Sequence, residues 1–237
     1  MAGALIFNNY DDFCRQAAEH IYAILKLALV HKKRASIVLS GGSTPAGVYR
    51  YLADNQGDFN WEHVDFFIGD ERCVPEDHAH SNYRMVEESF LSRIPHKNRN
   101  IYKVNQTLSP DEAALDYHKQ IKNYLDKNNC FDLVLLGMGP DGHTASLFPG
   151  YPEVAEKRRL ALATAAEGPL EPYHRRVTMT VPALNHSEHL LFLLKGGNEK
   201  KDIMDRVLRP GEKGREPEYP VQLIKPACGR AYWYFSK

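Results

Sequence analysis

Phe131-Asp132-Leu133-Val134-Leu135-Leu136 runs straight into Gly137-Met138-Gly139-Pro140-Asp141-Gly142-His143, and the reading of this junction decides the fold. The apolar run is too short for an ordinary helix and stops at glycine, which suits a strand buried on both faces. Strands of that kind belong to parallel sheets whose two faces are covered by helices. The pattern recurs in Ala35-Ser36-Ile37-Val38-Leu39-Ser40 before Gly41-Gly42, in Val64-Asp65-Phe66-Phe67-Ile68 before Gly69, and in Leu190-Leu191-Phe192-Leu193-Leu194-Lys195 before Gly196-Gly197. Ile101 to Val104, Leu160 to Thr164, Arg176 to Val181 and Ala231 to Phe235 are weaker strand candidates.

Helical spacing fills the intervals. Phe13, Ala17, Ile21, Ile24, Leu25, Ala28 and Leu29 recur every three or four residues, which predicts an amphipathic helix within Tyr10 to Lys33. A second helix is expected near Pro45, capped by Ser43 or Thr44, and a third from about Ser81 to Arg93. Ser109-Pro110-Asp111-Glu112 is a capping box that opens a fourth, running to about Lys127. Strands alternating with helices imply an α/β, Rossmann-like fold with a mostly parallel sheet flanked by helices. With no repeat and no interdomain linker, residues 1–237 are expected to form a single domain. Arg209 to Tyr219, rich in proline, glycine and charge, reads as a surface loop.

Composition narrows the function. Hydrophobic residues make up 43% of the chain and charged ones 25%, as in ordinary globular proteins. Thirty basic side chains balance thirty acidic ones, so no global field draws the chain to nucleic acid or an anionic membrane, and any bound anion must be held locally. No run approaches the roughly 18 apolar residues of a membrane span, and Met1 to Phe7 lacks the features of a secretory leader. Cys14, Cys73, Cys130 and Cys228 lie far apart without a C-x-x-C pair, which points to reduced thiols and a cytoplasmic location.

Ligands of open parallel sheets bind beyond the carboxyl ends of the strands. Four loops qualify here: Ser40 to Thr44, Gly69-Asp70-Glu71-Arg72, Gly137 to Thr144, and Lys195-Gly196-Gly197. Gly41, Gly42, Ser43 and Thr44 combine backbone N–H groups, hydroxyls and a helix start, a combination that suits phosphate; a plain tight turn is the competing reading. Gly137 to Gly142 also fits G-x-G-x-x-G, but no second strand ends in an acid about 20 residues on, which argues against a dinucleotide.

His143 projects beyond the glycines as a candidate base, with Asp141 placed to orient it; alone, such a histidine is more often a helix-capping or hydrogen-bonded loop residue. Asp70 and Glu71 are read as acid or base groups or, preferably, as anchors gripping the Arg72 guanidinium. Arg176 and Lys195 are further candidate cations. Asp77-His78-Ala79-His80 lacks ligands at a recognisable spacing, and His186 and His189 lack the H-E-x-x-H frame, so no metal is assigned. Ser146 lies outside any G-x-S-x-G elbow, so water attack is preferred to an acyl-enzyme.

Leu39-Ser40-Gly41-Gly42-Ser43-Thr44-Pro45, Gly69-Asp70-Glu71-Arg72 with Ser81-Asn82, and Gly137 through Phe148 resemble the three signature segments of the 6-phosphogluconolactonases. The resemblance implies the NagB/RpiA/CoA transferase-like fold, shared with glucosamine-6-phosphate deaminases and ribose-5-phosphate isomerases. It implies a carboxylic ester hydrolase of the pentose phosphate pathway, acting on a phosphorylated sugar lactone without a cofactor, as a monomer or small homo-oligomer. In that family's pattern His143 activates water with Asp141 beside it, the phosphate lies against Gly41 to Thr44, and Arg72, Arg176 and Lys195 contact substrate. An aldose-ketose isomerase or deaminase of an amino-sugar phosphate, of the glucosamine-6-phosphate deaminase/isomerase type, is the nearest rival, but the deaminase pattern carries an acid where Phe148 stands and tyrosine where Arg72 stands. A non-catalytic sugar-phosphate sensor on the same fold is the other alternative.

Overall fold

The computed structural model describes residues 4–55, 57–95, 100–164, 173–209, 217–227 and 229–237. Seven parallel strands form the central sheet: β1 (Ala4–Phe7), β2 (Ala35–Leu39), β3 (Val64–Ile68), β5 (Asn100–Tyr102), β6 (Phe131–Leu136), β9 (Ser187–Lys195) and β10 (Arg230–Ser236). Their spatial order is β1-β10-β9-β6-β2-β3-β5. A second, antiparallel sheet joins β4 (Asp70–Arg72), β8 (Arg176–Met179) and β7 (Ala161–Ala163).

Alternation along each central strand feeds two cores. Ile37, Leu39, Phe66, Ile68, Leu133, Leu135, Leu191 and Leu193 face a core shared with α1 (Tyr10–His31), α2 (Ser43–Asp54) and α3 (Asn82–Ser89). Val38, Phe67, Val134, Leu136, Phe192 and Leu194 face the other, built with α4 (Pro110–Asn128), α5 (Val181–Asn185) and α6 (Asn198–Leu208). The unbroken apolar runs thus reflect burial on both sides. The predicted stripe of α1 is buried, with Cys14 and Ala18 added to it and Leu29 only partly covered. The Ser109 capping box is present at α4.

Other expectations shift. Helix α2 begins at Ser43 behind Gly42, with no side-chain cap, because Gly42 adopts φ 105°, a region that glycine enters without strain. Thus neither Ser43 nor Thr44 is its cap. Helix α3 ends at Ser89, and a 3-10 turn over Leu91–Arg93 completes the predicted segment. Asp70 to Arg72, read as a loop, is strand β4. Strand β1 and helices α5 and α6 were not anticipated. Most of the Arg209 to Tyr219 loop lies outside the described residues, as does Cys228.

The one charge inside the decisive strand is accounted for by its neighbours. Asp132, 1% exposed, accepts from the backbone N–H of Ser36 at 2.8 Å, from Ser36 Oγ at 2.9 Å and from Lys32 Nζ at 2.7 Å. Replacing Asp132 with alanine leaves the buried Ser36 N–H and hydroxyl unmatched, while Lys32 keeps Glu188 at 3.1 Å, so urea unfolding should show a loss of about 2 to 3 kcal/mol.

Candidate active site

The carboxyl ends of β2, β3 and β6 open into a cleft of about 280 Å³, whose lining includes Ser40 to Pro45, Asp70, Arg72, Asn82, Gly137 to Pro140, His143, Arg176 and Lys200. Larger hollows of about 650, 590 and 470 Å³ lie elsewhere on the surface, but none gathers the glycine-rich loops.

Gly139 and His143 close a tight turn, with Gly139 N–H donating to the His143 carbonyl at 2.9 Å and Gly142 N–H to the Gly139 carbonyl at 3.1 Å. Gly142 has φ 78°. A Cβ at Gly139 would overlap the His143 imidazole, so this glycine makes room for the ring. His143 Nδ1 lies 2.5 Å from Asp141 Oδ1, and Asp141 also accepts the His143 backbone N–H at 3.2 Å. Because a carboxylate can only accept, Nδ1 is the donor in this contact, the tautomer that in a neutral imidazole leaves the lone pair on Nε2. Burial pushes the Asp141 carboxyl up, but the His143 hydrogen bond and charge outweigh it and hold the group below the usual carboxylate range. Phe148, 1% exposed, packs against the imidazole with ring centroids 4.6 Å apart.

The Gly41 to Thr44 loop presents the uncapped start of α2 to the cleft. Gly41 is obligatory for a different reason from Gly42: a side chain there would overlap Asn82, which donates to the Asp70 carbonyl at 2.8 Å. Ser40 Oγ and Arg72 Nε are buried without hydrogen-bond partners among the described residues. A cleft with idle donors and an open helix start is suited to an anion.

Arg72 and Arg176 face each other directly in the β4–β8 pair, an arrangement of like charges that an anion relieves. Arg176 is 4% exposed, with its guanidinium 5.3 Å above the Phe148 ring. Burial pulls its pKa down; Asp70 opposes that and Arg72 adds to it. Arg72 Nη1 donates to the His80 carbonyl at 2.8 Å.

Glu71 does not grip that guanidinium. Its carboxylate, 1% exposed, accepts the backbone N–H groups of Arg72, Asn82 and Tyr83 at 2.7 Å each, and so anchors the start of α3. Asp70 Oδ2 accepts from Ser146 Oγ at 2.6 Å, which leaves that serine a buried donor and no nucleophile.

Lys195 is set apart from the other predicted cations. Strand alternation carries it to the α1 face with Leu191 and Leu193, and its ammonium rests 3.9 Å over the Tyr10 ring. Tyr10 in turn donates to the Thr44 carbonyl at 2.7 Å, so Lys195 stands behind the phosphate-loop candidate and does not line the cleft. Lys200, on the first turn of α6, does line it. Burial lowers its pKa, and Asp141 opposes the shift. The Gly196-Gly197 turn preceding it was the only sequence signal.

The family described as glucosamine-6-phosphate isomerases/6-phosphogluconolactonase matches residues 8–233. The chain belongs to this family. A relative from Thermotoga maritima, named 6-phosphogluconolactonase, is 37% identical and aligns with 86% of this chain and 87% of its own length. A crystal structure of 6-phosphogluconolactonase from the same organism is similar with a TM-score of 0.85 at 33% identity, covering 99% of this chain and 100% of that one. A rice protein from Oryza sativa subsp. indica, named probable 6-phosphogluconolactonase 2, is 29% identical over 98% of this chain and 86% of its own. The fold expected from the resemblance is the one observed: a parallel sheet between helices, like that of the solved relatives.

Proposed function

We propose that this chain hydrolyses 6-phospho-D-glucono-1,5-lactone to 6-phospho-D-gluconate in the oxidative branch of the pentose phosphate pathway. The observation that carries the reading is the His143–Asp141 pair, which opens onto the same cleft as the α2 start and the Arg72–Arg176 couple. Family membership supplies the substrate class. His143 Nε2 takes a proton from water as its oxygen attacks the lactone carbonyl carbon. The carbonyl electrons move onto oxygen, and the surrounding cations Arg72, Arg176 and Lys200 stabilise that charge. Collapse breaks the bond to the ring oxygen, which receives the proton back from His143. Asp141 stays anionic, holds the tautomer and stabilises the imidazolium.

The phosphate lies against the open start of α2 at Gly41, Gly42, Ser43 and Thr44. Phe148 argues against the deaminase alternative, because the position where an acid would relay protons holds a ring packed on His143. The sensor alternative leaves the oriented His143 unexplained. The same reading takes 1–237 as one domain, supported by the pairing of β1 with β10. It places the enzyme in the cytoplasm, consistent with free thiols at Cys14, Cys73 and Cys130, as a monomer or small homo-oligomer that needs no cofactor.

The test is lactone disappearance against the uncatalysed background, with and without the 6-phosphate. The phosphorylated lactone should be favoured by roughly 10²-fold or more in kcat/KM, the equivalent of about two charge-assisted hydrogen bonds. Equal rates for the two lactones would remove the phosphate site, and ammonia release from glucosamine 6-phosphate would replace the reaction.

A further inference from the structure

Three histidines that the reaction does not use converge beside the cleft. His78 and His80 lie in the connection from β4 to α3, and His174 stands just before β8. One ring nitrogen from each falls within 4.8 Å of the others. His80 Nδ1 and His174 Nε2 are 3.0 Å apart, and the three ring centroids are 4.9, 5.2 and 5.8 Å from one another. Imidazole donors on tetrahedral zinc are about 3.4 Å apart at bond lengths of about 2.0 to 2.1 Å, so modest ring rotations bring this trio to ligand spacing.

We infer that His78, His80 and His174 form a binding site for a divalent transition-metal ion of the zinc class, with a fourth position open to water. The chemistry of the donors favours it over a mere contact. A single hydrogen bond between His80 and His174 satisfies only two facing nitrogens, whereas a cation takes a lone pair from all three rings. Desolvation, together with the nearby His80, His78, Arg176 and Arg72, pulls the His174 pKa below its ordinary value, the direction that favours a ligating imidazole. His78 Nδ1 accepts the backbone N–H of His80 at 3.0 Å, a hydrogen bond that holds the ring beside His80 and that ligation through Nδ1 would replace.

On metal binding the proton in the His80–His174 hydrogen bond moves to the outer nitrogen of its ring, and both inner lone pairs bond to the cation. No oxidant or reductant is required. The backbone already joins the two segments, since Cys73 N–H donates to the Arg175 carbonyl at 2.9 Å. A metal adds a second tie at the rim, next to the His80 carbonyl that receives Arg72.

The experiment is calorimetric titration of chelator-treated full-length protein with zinc in the absence of lactone, so it does not depend on the proposed reaction. One equivalent should bind, and cobalt(II) at the same site should give the intense visible absorption of four-coordinate geometry. His174→Ala and His80→Asn should each weaken zinc binding at least tenfold, which is the lower range seen even for outer-shell partners of a metal. His186→Ala, outside the cluster, should leave binding unchanged. Thermal melts in chelator establish that each variant is folded; if one is not, the other decides. Absence of binding, or affinity unchanged from the parent in both cluster variants, overturns the site. Binding lost in His143→Ala but retained in His174→Ala overturns it as well, by moving the ion to the Asp141–His143 pair.

Discussion

With alanine at His143, lactone turnover is expected to fall by about 10³-fold toward the spontaneous rate, within the range that positioned general bases contribute. The loss should sit in kcat, because the α2 start, the proposed phosphate site, is untouched. Thermal stability should change little, since His143 lies on a loop and no helix or strand is built on its ring. Asp141→Asn separates base from orienter. Its amide can donate to Nδ1, which favours the tautomer with Nε2 protonated and useless as a base. A kcat loss approaching that of His143→Ala is expected, with KM nearly unchanged. The sign of the Asp141 shift adds a constraint. Its depressed pKa keeps it ionised below the usual carboxylate range, so an acid limb of kcat at mildly acidic pH cannot belong to Asp141. Stopped assays against enzyme-free lactone decide the matter; turnover of His143→Ala within tenfold of the parent would remove the base from the mechanism.

What could be read from sequence, and what could not, follows from where the determinants lie. The strands Ala35–Leu39, Val64–Ile68 and Phe131–Leu136, and the 190–195 part of Ser187–Lys195, announce themselves because double-sided burial demands apolar residues at consecutive positions. The His143–Asp141 pair is legible because both partners sit in one turn, two residues apart. The Arg72–Arg176 couple was not, because it depends on a short antiparallel ladder formed by strands distant in sequence. Three-residue β4 offers no periodicity from which to predict it, and its buried Glu71 looks like an ion-pair partner until the N–H groups of α3 are seen to occupy it. Lys195 and Lys200 illustrate a third limit. Strand alternation turned the first toward Tyr10, while the second entered the cleft from a helix whose polar sequence hid its packing. The histidine trio was invisible for a simpler reason: its third member is 94 residues from His80.

Gly139→Ala should be nearly as damaging to catalysis as losing a catalytic group, though alanine adds only one carbon. The new Cβ would overlap the His143 ring and come within 2.7 Å of Asp141 Oδ1. Of the atoms involved, the imidazole is the most able to move, because it is the free end of a side chain while the turn is fixed by two backbone hydrogen bonds. The ring therefore yields first, swinging away from its carboxylate and from the attacking water. Displacements on the order of 1 Å cost about 10²-fold in positioned reactions, and that is the expected fall in kcat. Melting should shift only slightly, since Gly139 does not have a positive φ and the core strands are not disturbed. The contrast with Gly42→Ala tests the argument. There φ is 105° and the nearest neighbour of a Cβ is 3.9 Å away, so the cost is backbone strain at the α2 start, and it should appear in KM for the phosphorylated lactone. If both variants lost only affinity, the glycine at 139 would be a phosphate contact and the space it leaves for His143 would have no catalytic meaning.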